Sequence, residues 1–562
     1  MPSRGATART NVLVLAGYVA IAYAYFGAPL GLHPGRDLIG YGRDLQLFVW
    51  DLAWWPHAIL TWQNPFVSHA IYAPSGIDLA WVTSVPGLAI ALAPVTLLFG
   101  PDVSFNVAEI LMPALAALTA YLLCRHLTRS LWPSLAGGYL FGFSSYMLGA
   151  ELGHLHLTSV FLLPLIALAV VRYMEGELDR RGFAWRLGVL FGLQFWIATE
   201  VCVSAALVLV LALILASATV PAARARLRAL VVPLAGAAGV AAVVTAPLLY
   251  FAVTDFQSGS IVSPSSADGD LLNLVVPTRL LAAGRPFAHL SEQFTSDLPN
   301  QGLSLGLPAL VIVAWYALRM RRSALARFLV ASLVLAVVLV LGTALYVDGH
   351  KQLTLPWSYV ARAPVLDNVL PARLSIYVAL VGSVIVALWA AERRDWARRL
   401  LPALAVAALV PAVWNVPYRF HPERWQFFTS GQYKCIPRGD SLAIFPFGVY
   451  GYSTLWQAET NFWFRMPGGY LRPTPPAASL ADPTIRFITF TGEDPSVAQI
   501  VELVKRERVD RVVSIEQYAH PDGTEMHQFG VLSNYEGVYI APTCGYPSLR
   551  QGIHPTPPHP AH

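Results

Sequence analysis

Apolar residues in this chain come in long, nearly uninterrupted runs, at 11–31, 103–123, 132–148, 157–173, 187–200, 201–218, 229–251, 303–319, 327–346, 374–391 and 399–415. A helix needs roughly 20 residues to cross a bilayer's hydrocarbon core, so the pattern predicts about eleven membrane spans. The polar intervals carry arginine in clusters: Arg4 and Arg9; Arg125 and Arg129; Arg172, Arg180, Arg181 and Arg186; Arg224, Arg226 and Arg228; Arg319 to Arg327; Arg393 to Arg399. All of these clusters fall on one side if the eleven runs cross and the run at 84–99 does not. Lysine and arginine accumulate in cytoplasmic loops, which predicts the N-terminus inside and the C-terminus outside. The 84–99 run is short and interrupted by Pro86 and Pro94, so it is expected to be a juxtamembrane or re-entrant helix.

The composition agrees: 56% of the 562 residues are hydrophobic and 13% are charged, where a soluble protein carries about 25% charged residues. The net charge of +5 is distributed over short loops, with no basic tract suited to nucleic acid. The first run is read as an uncleaved span rather than a signal peptide, because no small-x-small cleavage site follows it. The segments expected to face outward are 32–102, 149–156, 252–302, 347–373 and everything after about 416. Within the last, "DSLAIFPF" and "RVDRVVSIE" have the composition of strands, and "PSVAQIVELVKRERV" has a helical apolar period. The expected architecture is thus an α-helical polytopic membrane protein. It comprises a transmembrane domain over 1–415, a small extracytoplasmic α/β domain over 416–550 and a disordered proline-rich tail over 551–562. Of the four cysteines, Cys435 and Cys544 lie in the outward domain. A disulfide between them is expected where geometry permits.

The candidate chemistry concentrates in the outward segments. "GYGRDLQLFVWDLAWWPHAIL" (40–60) places Asp44 and Asp51 seven residues apart, on one face if helical, beside Arg43, Gln46 and tryptophans suited to a membrane surface. Asp44 is a candidate general base. The other reading is an interfacial helix whose acids are solvated or paired with Arg43. "GAELGHLHLTS" (149–159) brings Glu151, His154 and His156 into one short turn, able to ligate a divalent cation, to shuttle a proton or only to hydrogen-bond. Glu109 and Glu200 lie at the outer ends of spans, where an ionisable group usually faces a cavity; Glu200 marks the expected turn between the fifth and sixth runs. Arg362 and Arg373 precede the tenth run, and Arg279 and Arg285 lie in the 252–302 loop. Outward arginines run against the cytoplasmic bias, and a guanidinium fork suits phosphate. In "STLWQAETNFWFRMPGGYLRP", Trp456, Gln457 and Tyr470 could meet a sugar face or form a domain core.

The order of these features resembles the GT-C superfamily of polyprenyl-phosphate-dependent membrane glycosyltransferases. The resemblance rests on "GRDLQ" after the first span, on "WDLAWWPHAIL" and on "SVPGLAIALAPVTLLFGP" before the second. "NPFVSHAIYAPSGIDLAW", "GHLHLTSVFLLPL", "VLPARLSIYVAL" and "LWQAETNFWFRMPGGY" are similar to stretches of bacterial members. It implies a multi-pass cell-membrane enzyme that takes a hexose or pentose from a polyprenyl-phosphate donor to a lipid, glycan or protein acceptor of the cell envelope. The active site would be extracytoplasmic. Asp44 would activate the acceptor, Arg362, Arg373 and Arg279 would bind the lipid phosphate, and Glu151 with His154 would stand where members carry further acidic or metal-binding residues. Many members have a paired DD, DE or DxD in the first loop. Here Arg43 precedes Asp44 and Gln46 lies two positions on, which leaves the need for a divalent cation (Mg or Mn) open. The alternative is a flippase or transporter of lipid-linked sugars without a covalent step, although no internal repeat of the kind many transporters carry is visible.

Overall fold

The structure, a computed structural model, describes residues 4–31, 34–220, 224–254, 264–361, 363, 366–414, 416, 418–519 and 525–532. Its chain divides into two compact units: Met1–Leu52 with Thr83–His421, and Ala53–Val82 with the chain from Pro422 on.

The first unit is helical. Among the described residues, seven helices are long and apolar enough to cross a membrane: Ala8–Leu30, Pro101–Thr128, Leu155–Met174, Thr199–Thr219, Arg224–Thr254, Ala324–Leu341 and Pro371–Ala391. The other four apolar runs form shorter or more charged helices. Leu131–Gly142, Leu307–Arg319 and Ala397–Ala408 have 12, 13 and 12 residues, about 20 Å or less against a core of about 30 Å. Arg180–Ile197 carries Arg180, Arg181 and Arg186. The 132–148 run ends early because Ser144 starts a new helix, Ser145–Ala150, its side chain accepting from the Met147 N–H. The 84–99 run forms helices of six and seven residues, Pro86–Ala91 and Ala93–Phe99. Neither is long enough to cross.

The turn expected near Glu200 is present. Ala198 is extended (φ −154°, ψ 101°) and separates Arg180–Ile197 from Thr199–Thr219. The Cys202 thiol reaches the Phe191 carbonyl at 3.4 Å, where eleven residues of continuous helix would put them about 16 Å apart. The two helices therefore fold back on each other with Glu200 at the tip.

The first unit's loops are held by buried polar side chains. Asn106, on the helix Pro101–Thr128, accepts from the Ile39 N–H and donates to the carbonyls of Pro34 and Asp37. Leu38–Ile39 pairs antiparallel with Arg419–Phe420. Asp268 holds Thr343 through both its N–H and its hydroxyl, and Asp270 caps the hairpin Ala344–Val347/His350–Thr354 at Gly349.

The second unit contains a three-stranded sheet. Leu442–Phe445 runs parallel to Arg511–Ala519, which pairs antiparallel with Glu525–Leu532. The helix Val497–Arg506 begins with a Ser496/Gln499 capping box. With Pro483–Thr491 it packs Ile485, Ile488 and Leu503 against Ala443, Phe445 and Val512. These are the strand and helix positions expected from the sequence. Cys435 is disulfide-bonded; its expected partner Cys544 and the tail over 551–562 lie outside the described residues.

The helix Leu45–Leu60 departs from expectation. Trp50, Trp54 and Trp55 are 0%, 1% and 1% exposed, so they are protein interior rather than a membrane-surface belt. The helix turns even its polar residues inward, since Gln46, Asp51 and His57 are buried along with the tryptophans. Exposure begins at its end, where Ile59, Leu60 and Trp62 are 47%, 61% and 96% exposed.

Candidate functional site

Asp44 immediately precedes the helix Leu45–Leu60, and its carbonyl accepts the Leu47 N–H. Its side chain is 40% exposed, and Oδ2 lies 3.8 Å from His154 Nε2. One helical turn on, Phe48 stacks on His156 with ring centroids 5.5 Å apart. These two contacts dock the start of the helix against the 149–156 turn. The backbone reinforces them, since the Tyr41 N–H donates to the Leu152 carbonyl at 3.0 Å. Gly40, with φ +111°, passes so close to that turn that a Cβ would stand 3.0 Å from the Glu151 carbonyl oxygen.

From His156 the polar contacts continue inward. His156 Nε2 is 3.9 Å from Glu200 Oε2, and the same oxygen binds an Arg373 terminal nitrogen at 2.5 Å. Arg373 Nε also approaches Asn300 Oδ1 at 3.5 Å. Four residues beyond each partner of the ion pair, Ser204 and Tyr377 share a 2.8 Å hydrogen bond, so the two helix starts are fixed over successive turns. Asp44, His154, His156, Glu200 and Arg373 thus form one chain of polar groups, all within the first unit. Arg373 is 17% exposed on its side chain.

The electrostatics set the protonation of the turn. Burial, and then the Arg373 charge, lower the His154 pKa to about 4 against the opposing pull of Asp44 and Asp297. His154 is therefore a neutral imidazole at neutral pH and adds no positive charge beside Asp44. Glu151 is wholly buried, and neither of its oxygens has a hydrogen-bond partner among the described residues. Burial, aided by the nearby Glu109 carboxyl, pushes its pKa well up, toward the neutral acid. Glu109 Oε2 accepts from the Thr158 hydroxyl at 3.1 Å.

Several expected site residues lie elsewhere. Asp51 does not share an open face with Asp44: it is 1% exposed, both its oxygens lack partners among the described residues, and burial raises its pKa well above the carboxylate range. It is a buried acid, not a solvated neighbour. Gln46 is buried, and Arg43 is exposed. Arg279 pairs with Glu292 at 3.7 Å on the surface; Arg362 lies outside the described residues. Trp456 and Gln457 are 1% and 0% exposed. The indole N–H donates to the Glu423 carbonyl, and the amide donates to the carbonyls of Ala70 and Phe464. They are core of the second unit, with no surface for a sugar, and Tyr470 is nearly as buried, at 9%. Glu151, His154 and His156 do not converge as a ligand set. Among the described residues, three such donors come within 4.8 Å of one another only at His126, Glu175 and Glu177. There the histidine is already bonded to Glu175 at 2.6 Å.

The sequence reading missed Phe48, Asp297, Asn300 and Asp37. The last had a signal: Gly-Arg-Asp-Leu occurs twice, at 35–38 and 42–45. Asp37 is buried and bound by Arg419 Nε at 2.7 Å and His421 Nδ1 at 2.6 Å.

The fold that carries this cluster is similar to that of two solved structures. The chain is similar to the archaeal oligosaccharyltransferase AglB from Archaeoglobus fulgidus, solved with an inhibitory peptide and a dolichol-phosphate. The TM-score is 0.52 at 12% identity, over 93% of this chain and 74% of that one. It is also similar to the mycobacterial arabinofuranosyltransferase AftD, with a TM-score of 0.57 at 15% identity, over 90% of this chain and 35% of that one. No curated protein matches it in sequence. The chain belongs to the family described as domain of unknown function DUF6311, whose model matches residues 14–410.

Proposed function

We propose that this multi-pass membrane protein is a glycosyltransferase that moves a sugar from a polyprenyl-phosphate donor to an acceptor hydroxyl of a lipid, glycan or protein on the extracytoplasmic side. The observation that carries this reading is the polar chain from Asp44 through His154, His156 and Glu200 to Arg373. It joins a part-exposed carboxylate to a part-exposed guanidinium within the helical unit. The fold's likeness to AglB and AftD supports the same reaction class, although fold alone does not assign chemistry.

In the proposed step the acceptor oxygen attacks the anomeric carbon. The new carbon–oxygen bond forms as the bond to the phosphate oxygen breaks, which inverts the centre. The acceptor proton passes to the Asp44 carboxylate. The departing lipid phosphate keeps the bonding electrons, and Arg373 meets its charge. Arg373 is suited to this because Glu200 and Asn300 engage one terminal nitrogen and Nε, while the second terminal nitrogen has no partner among the described residues. Stabilising charge where it develops is usually the largest catalytic term. Neutral His154 leaves Asp44 its negative charge for proton abstraction. Among the described residues Glu151, His154 and His156 do not converge on a cation, and no step is routed through a metal.

The test uses the full chain in detergent or nanodiscs with radiolabelled pentosyl and hexosyl polyprenyl phosphates and an envelope acceptor extract. Donor-dependent transfer is expected, and Asp44→Asn should lower it about 100-fold or more at unchanged thermal stability. Full transfer by that variant would sink Asp44 as the base. Passage of the lipid-linked sugar across the bilayer without transfer would replace the enzyme by a transporter.

A further inference from the structure

The helices Leu307–Arg319 and Ala324–Leu341 form a hairpin whose outer groove has a volume of about 580 Å³. The groove is apolar along its length, lined by Ala317, Val330, Val334 and Val338, and carries Arg321 and Arg327 at the end nearest the connecting turn. It opens sideways: Val334 and Val338 are 60% and 45% exposed.

Among the described residues neither arginine is in an ion pair. No aspartate or glutamate occurs between Asp297 and Asp348, and among the described residues neither the Arg321 nor the Arg327 side chain has a hydrogen bond or ion pair. Two arginines lining one groove without an ion-pair partner are suited to a phosphate, which a guanidinium binds with parallel N–H donors. The groove's length matches one leaflet. Eleven residues separate Arg327 from Val338, about 16 Å along the helix, against about 15 Å for half the hydrocarbon core.

From this geometry we infer that the groove binds an anionic phospholipid, its phosphate between Arg321 and Arg327 and one acyl chain along Val330, Val334 and Val338. This lipid is distinct from the donor of the proposed reaction. The far end of Ala324–Leu341 runs into Gly342, where an added Cβ would stand 2.8 Å from Pro371. Pro371 begins the turn that carries Arg373. The lipid phosphate would therefore sit roughly 27 Å from the candidate site, the length of an 18-residue helix. The groove does not depend on Asp44 or on the glycosyltransferase reading.

The experiment titrates the full chain in detergent with phosphatidylglycerol or phosphatidylcholine and reads retained lipid by native mass spectrometry, together with melting temperature. Wild type is expected to retain phosphatidylglycerol and to melt higher with it than with phosphatidylcholine. The Arg321→Gln/Arg327→Gln pair should weaken that retention roughly thirtyfold, from about 1 kcal/mol per basic residue near an anionic headgroup. Val334→Trp, at an exposed position, should displace the acyl chain while keeping both charges. Equal retention of the two lipids by wild type, or undiminished phosphatidylglycerol retention by the double variant, would overturn the proposal. So would full displacement by soluble glycerol 3-phosphate, which would mark an anion site without a lipid.

Discussion

The two copies of Gly-Arg-Asp-Leu carry the same aspartate into different surroundings. Asp37 is enclosed, and although burial alone would raise its pKa, the hydrogen bonds from His421 and Arg419 outweigh that and hold it below the usual range. Asp44 keeps 40% of its side chain exposed beside a histidine too acidic to be charged at neutral pH. A third acid, Asp51, is buried with no partner among the described residues, and its pH effect has a definite sign. Its folded pKa lies well above 3.8, so the native state holds a proton that the unfolded chain has lost. Stability falls as pH rises from about 4, by about 1.4 kcal/mol per unit until the folded pKa is reached. Asp51→Asn removes this loss, so its melting temperature should gain on wild type as pH rises above about 4; parallel curves would show that the carboxyl is not kept neutral. His154 acts in the other direction, with stability lost as pH falls from about 6.5 toward 4. His154→Gln should flatten that acid limb.

At the scale of elements, the site depends on how closely short segments approach one another. The helix Ser145–Ala150 lies against the turn Leu298–Asn300, where a Cβ on Gly149 would stand 2.3 Å from the Pro299 carbonyl oxygen. That approach carries Asn300 toward Arg373 and Asp297 close enough to affect His154. Gly149→Ala should therefore cost about 1–3 kcal/mol, as overpacking of a tight contact does. It should also depress transfer more than its stability loss explains, because Arg373 loses its alignment. A variant with wild-type melting and wild-type activity would show that the loop moves away at no cost. The same scale explains the misread helix Leu45–Leu60. Its tryptophans satisfy the composition of a surface belt, but Asp51 and His57 are buried along with them. A sequence window cannot tell an all-round apolar interior helix from one lying in lipid, since both remove indole from water.

For the whole molecule, the arginine bias predicts the sidedness of the chain. Cysteines replacing Tyr41, which is 60% exposed, and Arg180, which is exposed at a helix start, should react with an impermeant thiol reagent from opposite faces of sealed vesicles. Reaction from one face would overturn the orientation on which the extracytoplasmic site rests. The grouping of Ala53–Val82 with the chain from Pro422 on was not legible either. It rests on links such as Gln457 to the Ala70 carbonyl and the Met466 N–H to that same carbonyl, across almost 400 residues of sequence.

By itself the sequence determined the membrane class, the apolar runs, the turn at Glu200 and the strands and helix of the C-terminal segment. Each of these follows from transfer free energies and periodicities that accumulate locally along the chain. It also singled out Asp44, His154, His156, Glu200 and Arg373 as ionisable or phosphate-binding groups in unusual places. Only the tertiary structure decided that these five meet, that Asp37 and Asp51 are closed off, and that Trp456 and Gln457 are core. Those outcomes depend on which backbones approach within a few ångströms and which polar groups find partners once water is excluded, neither of which a window of sequence contains.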